Sequence, residues 1–582
     1  MKLFYFLFLF FYFHQVSAQL SVSPSKAGSS FLYAKNLVLY VEGGIHLEKN
    51  PNPTSEASIY LRKEAQLIQG DKTNNLNTGN GLLSVFQEGR ANAYNYNYWG
   101  LPVRDNSGAA KTVDRIIYEP IGKTESKPAM LSPALDGKAN PLTISVRWLY
   151  KFEGGTYADW EYIGANFNPA AGLGFTMKGV NGTNLNSIEG ILNNPGNRQR
   201  YDFRGLPNDG LISMSIQKDQ VLLVGNPYPS ALNLKKFLVQ NTAATGIAYF
   251  WDHSDHTFSH YLKDYEGGYG AYSPGAGAYV PAVFQHYDES AKPTGNTGGT
   301  GQHYGREFSP IAQGFMIMGK SNGQVSFQNS QRVFMRENNG NSEFRTAQQV
   351  IPSLRLNFSF DDLYIRQLLI AFRDDATPGA DHAMDAVAFG SLNTDAAWII
   401  DGDAYLINVL PFDNAEKIPL LFSIKEKTSL KISYEIPENF SPKAIMLFDA
   451  ETELSHNLYE SDFEIELQTG NYENRFYLGF REEVPEEPQP QLPEEDGDYF
   501  EPTETAEIFY NKNLQQVEVI TGKILKEIQV FNLMGSMIFS KKNYENKHYD
   551  YFYTGNLRDA VYIVKVKTLD NRITNKKLLL KK

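Results

Sequence analysis

Along most of the chain, short apolar segments alternate with polar residues at a period of two and close on Gly, Asn or Pro, the pattern of strands with one buried face. Residues 36–47, 58–61 and 65–69 predict brief strands with Gly and Asn corners, and so a solenoid-like or sandwich start over residues 19–110. An elaborated β-domain is expected over 111–345. Its strands are read at 144–150, 173–177, 221–224 and 248–253, with a short helix near 234–238 and a final hairpin from 313–318 and 324–332. Within it, residues 264–308 are rich in Gly, Tyr and Ser without a sustained period, which predicts a functional or mobile surface loop. Residues 351–480 carry strand signals at 354–358, 367–372, 403–408, 429–434, 444–449 and 475–480, dense enough for an immunoglobulin-like or jelly-roll sandwich. Repeated Glu and Pro over 482–498 predict an extended, self-repelling linker. Residues 506–582 follow as a small β-domain with strands at 516–520, 528–535 and 561–566. The expected fold class is therefore all-β and multidomain: β-sandwich or jelly-roll-like body domains plus a small C-terminal immunoglobulin-like β-sandwich.

Composition agrees with that pattern and narrows the partners. Aromatic residues make up 13% of the chain, and bulky rings fit pleated surfaces. A formal net charge of −12 argues against a nucleic-acid partner, whose phosphates demand a basic face. There is no cysteine, so no disulfide holds the fold and the core must do so alone. Residues 1–18 combine Lys2, an apolar run over 3–13 and Val16-Ser17-Ala18 before Gln19. That is the form of a secretory signal cleaved between Ala18 and Gln19 and exported by the Sec translocase, with a run shorter than the ~20 residues that span a bilayer. No later segment matches its apolar length, so the mature chain is expected to lack a transmembrane segment.

The C-terminal domain has a recognisable pattern. A strand and turn lead to a second strand closing on Asn532-Leu533-Met534-Gly535; then come Tyr562-Ile563-Val564-Lys565-Val566 and a terminal Lys576-Lys577-Leu578-Leu579-Leu580-Lys581-Lys582. This resembles the C-terminal (type A, Por-type) sorting domain of type IX secretion cargo, with Asn532, Gly535, Tyr562, Val564, Lys576 and Lys577 as its motif positions. Asp559-Ala560-Val561 stands where the family carries Gly or Pro-Gly. The resemblance implies recognition by the outer-membrane translocon and removal by its sorting peptidase near the acidic linker. It also implies that the body is attached to surface lipopolysaccharide or released, at the outer surface of a Gram-negative bacterium. Residues 225–230 (Gly-Asn-Pro-Tyr-Pro-Ser), 249–253 (Tyr-Phe-Trp-Asp-His) and 327–332 (Phe-Gln-Asn-Ser-Gln-Arg) are similar to segments of uncharacterised surface proteins with the same sorting domain, which implies shared architecture and no known activity.

Three stretches carry candidate chemistry. Tyr94, Tyr96 and Tyr98 fall on one strand face, with Asn95 and Asn97 on the other and Trp99 following. Such a row stacks on sugar rings or, alternatively, covers a core edge. Asp252, His253, Asp255 and His256, with His260 nearby, supply metal-ligand side chains, although an extended segment puts His253 and His256 on opposite faces. Asp374, Asp375, Asp381 and Asp385 lie on a Gly-containing loop suited to calcium or simply to turn formation, in a register unlike an EF-hand. No other cofactor is implied, and no catalytic residue is singled out. The chain lacks a cysteine nucleophile. Two readings stand. One is an exported, non-catalytic surface protein of adhesive or structural type; the other is a secreted polysaccharide-binding protein or glycoside hydrolase with its site within 92–345.

Overall fold

Alternation is realised as strands almost everywhere, and the chain is all-β. A computed structural model describes residues 20–480 except 27, 53–55, 91, 106–111, 168, 289–292, 337–350, 391 and 413–416. It also describes 506–580 except 513–515, 522, 533–536, 543–548, 555–556, 558–559 and 571. The signal segment with Ala18 and Gln19, the linker 482–498 and Gly535 lie outside the described residues. Two compact units divide between residues 483 and 484.

The first unit opens as a β-solenoid. Leu20–Val22, Ile45–Leu47 and Thr78–Gly79 stack in parallel; so do Leu32–Lys35, Ile59–Arg62 and Leu83–Gly89, and so do Val38–Val41 and Gln66–Gln69. The second of these ladders does not stop at the boundary expected near residue 110. It continues through Gln199–Pro207, Ile117–Pro120 and Ser126–Pro128, because Leu83–Gly89 has a free edge that the nine-residue strand fills.

An eleven-stranded sheet then carries Tyr96–Trp99 at one end, beside Phe175–Lys178 and Tyr150–Gly154, and runs through Val221–Gly225, Gly314–Met318, Ala248–His253 and Gly267–Ser273 to Pro293–Thr300. Three expectations are corrected here. Residues 264–308 are largely strands (Gly267–Ser273, Ala278–Val280, Val283–Tyr287, Pro293–Thr300), with tyrosines and glycines replacing the aliphatic alternation. A Cβ at Gly267 or Gly270 would collide with the Trp251 ring or the Tyr279 hydroxyl, so glycine there admits a neighbouring ring. The segment 144–150 is not one strand, because a 3-10 turn at Val146–Trp148 separates Leu142–Ser145 from Tyr150–Gly154. The expected final hairpin is absent as well: Gly314–Met318 pairs with Val221–Gly225, whereas Gly323–Phe327 pairs with Ile212–Ile216. The expected helix is present as Leu234–Gln240, capped by the Asn233 side chain accepting from Lys236 N.

Residues 353–479 form a further eleven-stranded sheet that curls over itself. Phe358 and Phe422 belong to strands with three others between them, a span of roughly 19 Å in a flat sheet at ~4.8 Å per strand. Their ring centroids are nevertheless only 5.6 Å apart. Trp398 is fully buried at the centre of this core, its indole N–H donating to Leu369 O.

The second unit packs a three-stranded sheet (Glu507–Asn511, Gln516–Ile520, Tyr549–Tyr553) with a four-stranded one (Met537–Lys542, Leu525–Asn532, Ala560–Thr568, Ile573–Leu580) around Val517, Val519, Val530, Val564 and Val566. Within it Asn532 pairs with Tyr562, and Val564 with Lys576.

Candidate functional site

The tyrosine row is where the body gathers unusual chemistry. Tyr96 and Lys178 are cross-strand partners in the antiparallel pair of Tyr96–Trp99 and Phe175–Lys178, so both side chains project from the same face. The row grades from core to surface. Tyr98 packs beside Trp160 and shares a 2.6 Å hydroxyl–hydroxyl hydrogen bond with Tyr269, and burial raises its pKa well above the ordinary value. Tyr96 stacks on Tyr265 at 6.0 Å, and Tyr94 lies 4.9 Å from the His260 ring and 6.2 Å from the ring of Phe258. Trp99 departs from the expected group. It points to the opposite face and is buried between Tyr201 and Phe203, because period two places it with Asn95 and Asn97.

Lys178 is 3% exposed, and its ammonium lies 3.7, 4.8 and 4.9 Å from the ring centroids of Trp148, Tyr265 and Tyr96. Three ring faces around one cation make a cation–π cage. Trp148 reaches it because the 3-10 turn lifts it out of the strand path; its indole N–H donates to Leu135 O at 2.7 Å and stops the ring turning away. Lys178 Nζ is 3.0 Å from His260 Nδ1, and His260 Nε2 is 2.6 Å from Asp136 Oδ1. A carboxylate at Nε2 requires that nitrogen to donate, which assigns the lone pair to Nδ1 and makes it the acceptor for Lys178. Burial pulls the Lys178 ammonium down to about 7, with Asp136 opposing. Burial likewise holds the His260 imidazole below its ordinary value; the Asp136 hydrogen bond pulls it up and Lys178 pushes it down.

The cage is roofed by residues 254–266, which join Ala248–His253 to Gly267–Ser273. Tyr265 Oη donates to Tyr94 O at 2.7 Å, Asn95 Nδ2 to Ser254 O at 3.2 Å and Asn92 Nδ2 to Thr257 O at 3.4 Å. His260 also stacks on Trp148, with centroids 5.1 Å apart and planes 12° apart. From this clamped loop Phe258 and Tyr261 project outward, 69% and 72% exposed.

The two ligand sets weighed for metals are not assembled. Among the described residues, no group of three or more His, Asp or Glu side chains is placed to hold an ion. Asp252 accepts from His253 N and Gln302 N, while His253 Nδ1 faces Ser254 O and His256 N donates to Ser254 Oγ. Asp375 forms a two-pronged pair with Arg373, Asp381 accepts from Thr377 N, and Asp385 accepts from Asp381 N and Val409 N at 2.7 Å each. Asp374 is exposed.

Sequence reasoning found the tyrosines and missed the rest. Lys178 reads as an ordinary polar strand residue, and its partners lie 82 (His260 to Lys178) and 124 (Asp136 to His260) positions apart along the chain.

No curated protein matches the chain. A solved structure titled "Biofilm associated protein - BSP domain" aligns over 86% of this chain and 96% of its own at 9% identity, but with a TM-score of 0.12, a superposition too loose to describe a shared fold. The family model described as "Domain of unknown function (DUF8693)" matches residues 26–480, and the chain belongs to that family.

Proposed function

We propose that the chain is an exported surface β-protein of adhesive type, whose body holds glycans on the aromatic ground formed by Phe258 and Tyr261 beside Tyr94 and Trp148. The observation that carries this reading is the exposure of Phe258 and Tyr261 on a loop clamped at both ends and at its middle. Large exposed rings are costly in water and mark interaction surfaces, and flat rings match the apolar faces of sugars. A rigid mount loses little freedom on binding. Two carboxylates of this region are engaged, Asp136 with His260 and Asp264 with Ser259 Oγ, each at 2.6 Å, which favours adhesion over hydrolysis. The test is affinity electrophoresis and titration calorimetry of the full chain with laminarin, xylan, pullulan and lipopolysaccharide. At least one should bind, and Phe258→Ala with Tyr261→Ala should weaken it about tenfold or more. Unchanged binding by the double variant overturns the assignment.

Export through the type IX system rests on the C-terminal motif, whose Asn532, Tyr562, Val564, Lys576 and Lys577 lie on three adjacent strands of one sheet, Tyr562 and Val564 in its core. Masses of both termini of the protein recovered from cells test it. A chain running from Gln19 to a residue within 482–507 is expected; recovery of intact Lys582 contradicts removal of the domain.

A further inference from the structure

The cage beneath residues 254–266 is itself a set of ring-stacking walls, and an internal ammonium occupies it. The cover stays down at its middle through the Lys178–His260 bond, which the Lys178 ammonium donates and an unprotonated His260 Nδ1 accepts. Resting on the glycan-adhesion reading above, we propose that residues 254–266 are a proton-released cover over a second sugar-ring subsite walled by Tyr96 and Trp148.

The chemistry is a count of charges at short range. Protonation of the imidazole places an N–H on Nδ1, 3.0 Å from the Lys178 ammonium, where a lone pair had accepted. Two cations then face a single carboxylate, Asp136, which is 41% exposed in its side chain and screened accordingly. The other titratable side chains seen to face the pair among the described residues are the phenols of Tyr96 on the strand, Tyr265 on the cover and Tyr94 at the rim; Trp148 is on the 3-10 turn. His260 is the member on the covering segment. As it leaves, its stacking on Trp148 and on Tyr94 is lost together, and those ring faces open. Lys178 remains on its strand as a hydrogen-bond donor for ring hydroxyls.

Hydrogen–deuterium exchange on the full chain at pH 7.5 and pH 5.0, corrected for intrinsic rates, tests the cover, and glycan titration at the same pH values tests the subsite. The variants are Lys178→Met, which fills an aromatic cage with an unchargeable side chain, and His260→Gln, which cannot become a cation. In the wild type, protection over 254–266 should fall about tenfold on acidification and glycan affinity should rise, with both changes absent in the variants. Equal protection at the two pH values, or a Lys178→Met protein that loosens as the wild type does, overturns the cover. A loop that opens without a change in affinity for a glycan bound at pH 7.5 overturns the subsite and leaves the adhesion reading standing. Binding of no glycan at either pH overturns both.

Discussion

Residues 254–266 and residues 374–385 are two polar loops of the same unit, each bearing Asp and His where a ligand set could be imagined, and they settle their polar groups differently. The second settles its carboxylates mostly within the loop: Asp375 pairs with Arg373 two positions away, and Asp381 and Asp385 each accept from a backbone N–H four positions away, while Asp385 also accepts from Val409 N and His382 faces the carbonyls of Val239 and Ala244. The first is held by partners far off in the sequence, through Asn92, Tyr94, Asn95, Asp136 and Lys178, and turns Phe258 and Tyr261 outward. Local satisfaction makes a stiff turn. Distant clamping frees the loop's own side chains to meet a ligand.

This contrast predicts a ranking of effects. Asp385→Ala should be the most damaging to stability, because it strands the N–H groups of Asp381 and Val409 in a buried place; a loss of roughly 2–4 kcal/mol is expected in denaturant unfolding. Asp385 also sharpens the contrast through pH. Burial raises its carboxyl to about 7, whereas an unfolded Asp titrates near ~3.9. The folded state therefore holds the proton more tightly, and this group's contribution is full below the unfolded value and is lost as pH rises through about 7. Comparing wild type with Asp385→Asn from pH 4 to 8 should show that slope in the wild type alone.

Lys178 has the opposite sense. Its folded value of about 7 lies below the unfolded ~10.4, so its contribution improves as pH rises between them, and Lys178→Met should flatten that rise in thermal unfolding. The smallest effect belongs to Asp375→Ala. Its pair with Arg373 is solvent-screened, and stability should change by less than about 0.5 kcal/mol. If Asp375→Ala proves as costly as Asp385→Ala, the distinction between buried local satisfaction and surface pairing fails.

What was legible follows the same division. Strands at 353–360, 364–372, 403–410, 428–434 and 516–520 declare themselves because burial on one face writes a period of two into the sequence. The 3-10 turn at Val146–Trp148 was hidden because its residues keep that alternation while the chain changes direction. Strands at 267–300 were hidden because glycine and tyrosine replace aliphatic residues where rings lie against bare backbone. Of the candidate site, the tyrosine row was legible and the cage was not. A lysine in a strand reads as a solvent-facing charge, and only tertiary structure surrounds Lys178 with Trp148, Tyr265 and His260. Trp99 shows the converse error, since adjacency to the tyrosines in sequence put it on the opposite face in space.

The most direct test of the adhesion surface is hydroxyl-radical footprinting of the full chain with and without a saturating polysaccharide from the binding panel. The account predicts that Phe258 and Tyr261, the most exposed rings of the loop, become protected together while Tyr162, also exposed but outside the clamped loop, stays reactive. Phe258 and Tyr261 remaining fully reactive while protection falls elsewhere on the body would contradict it.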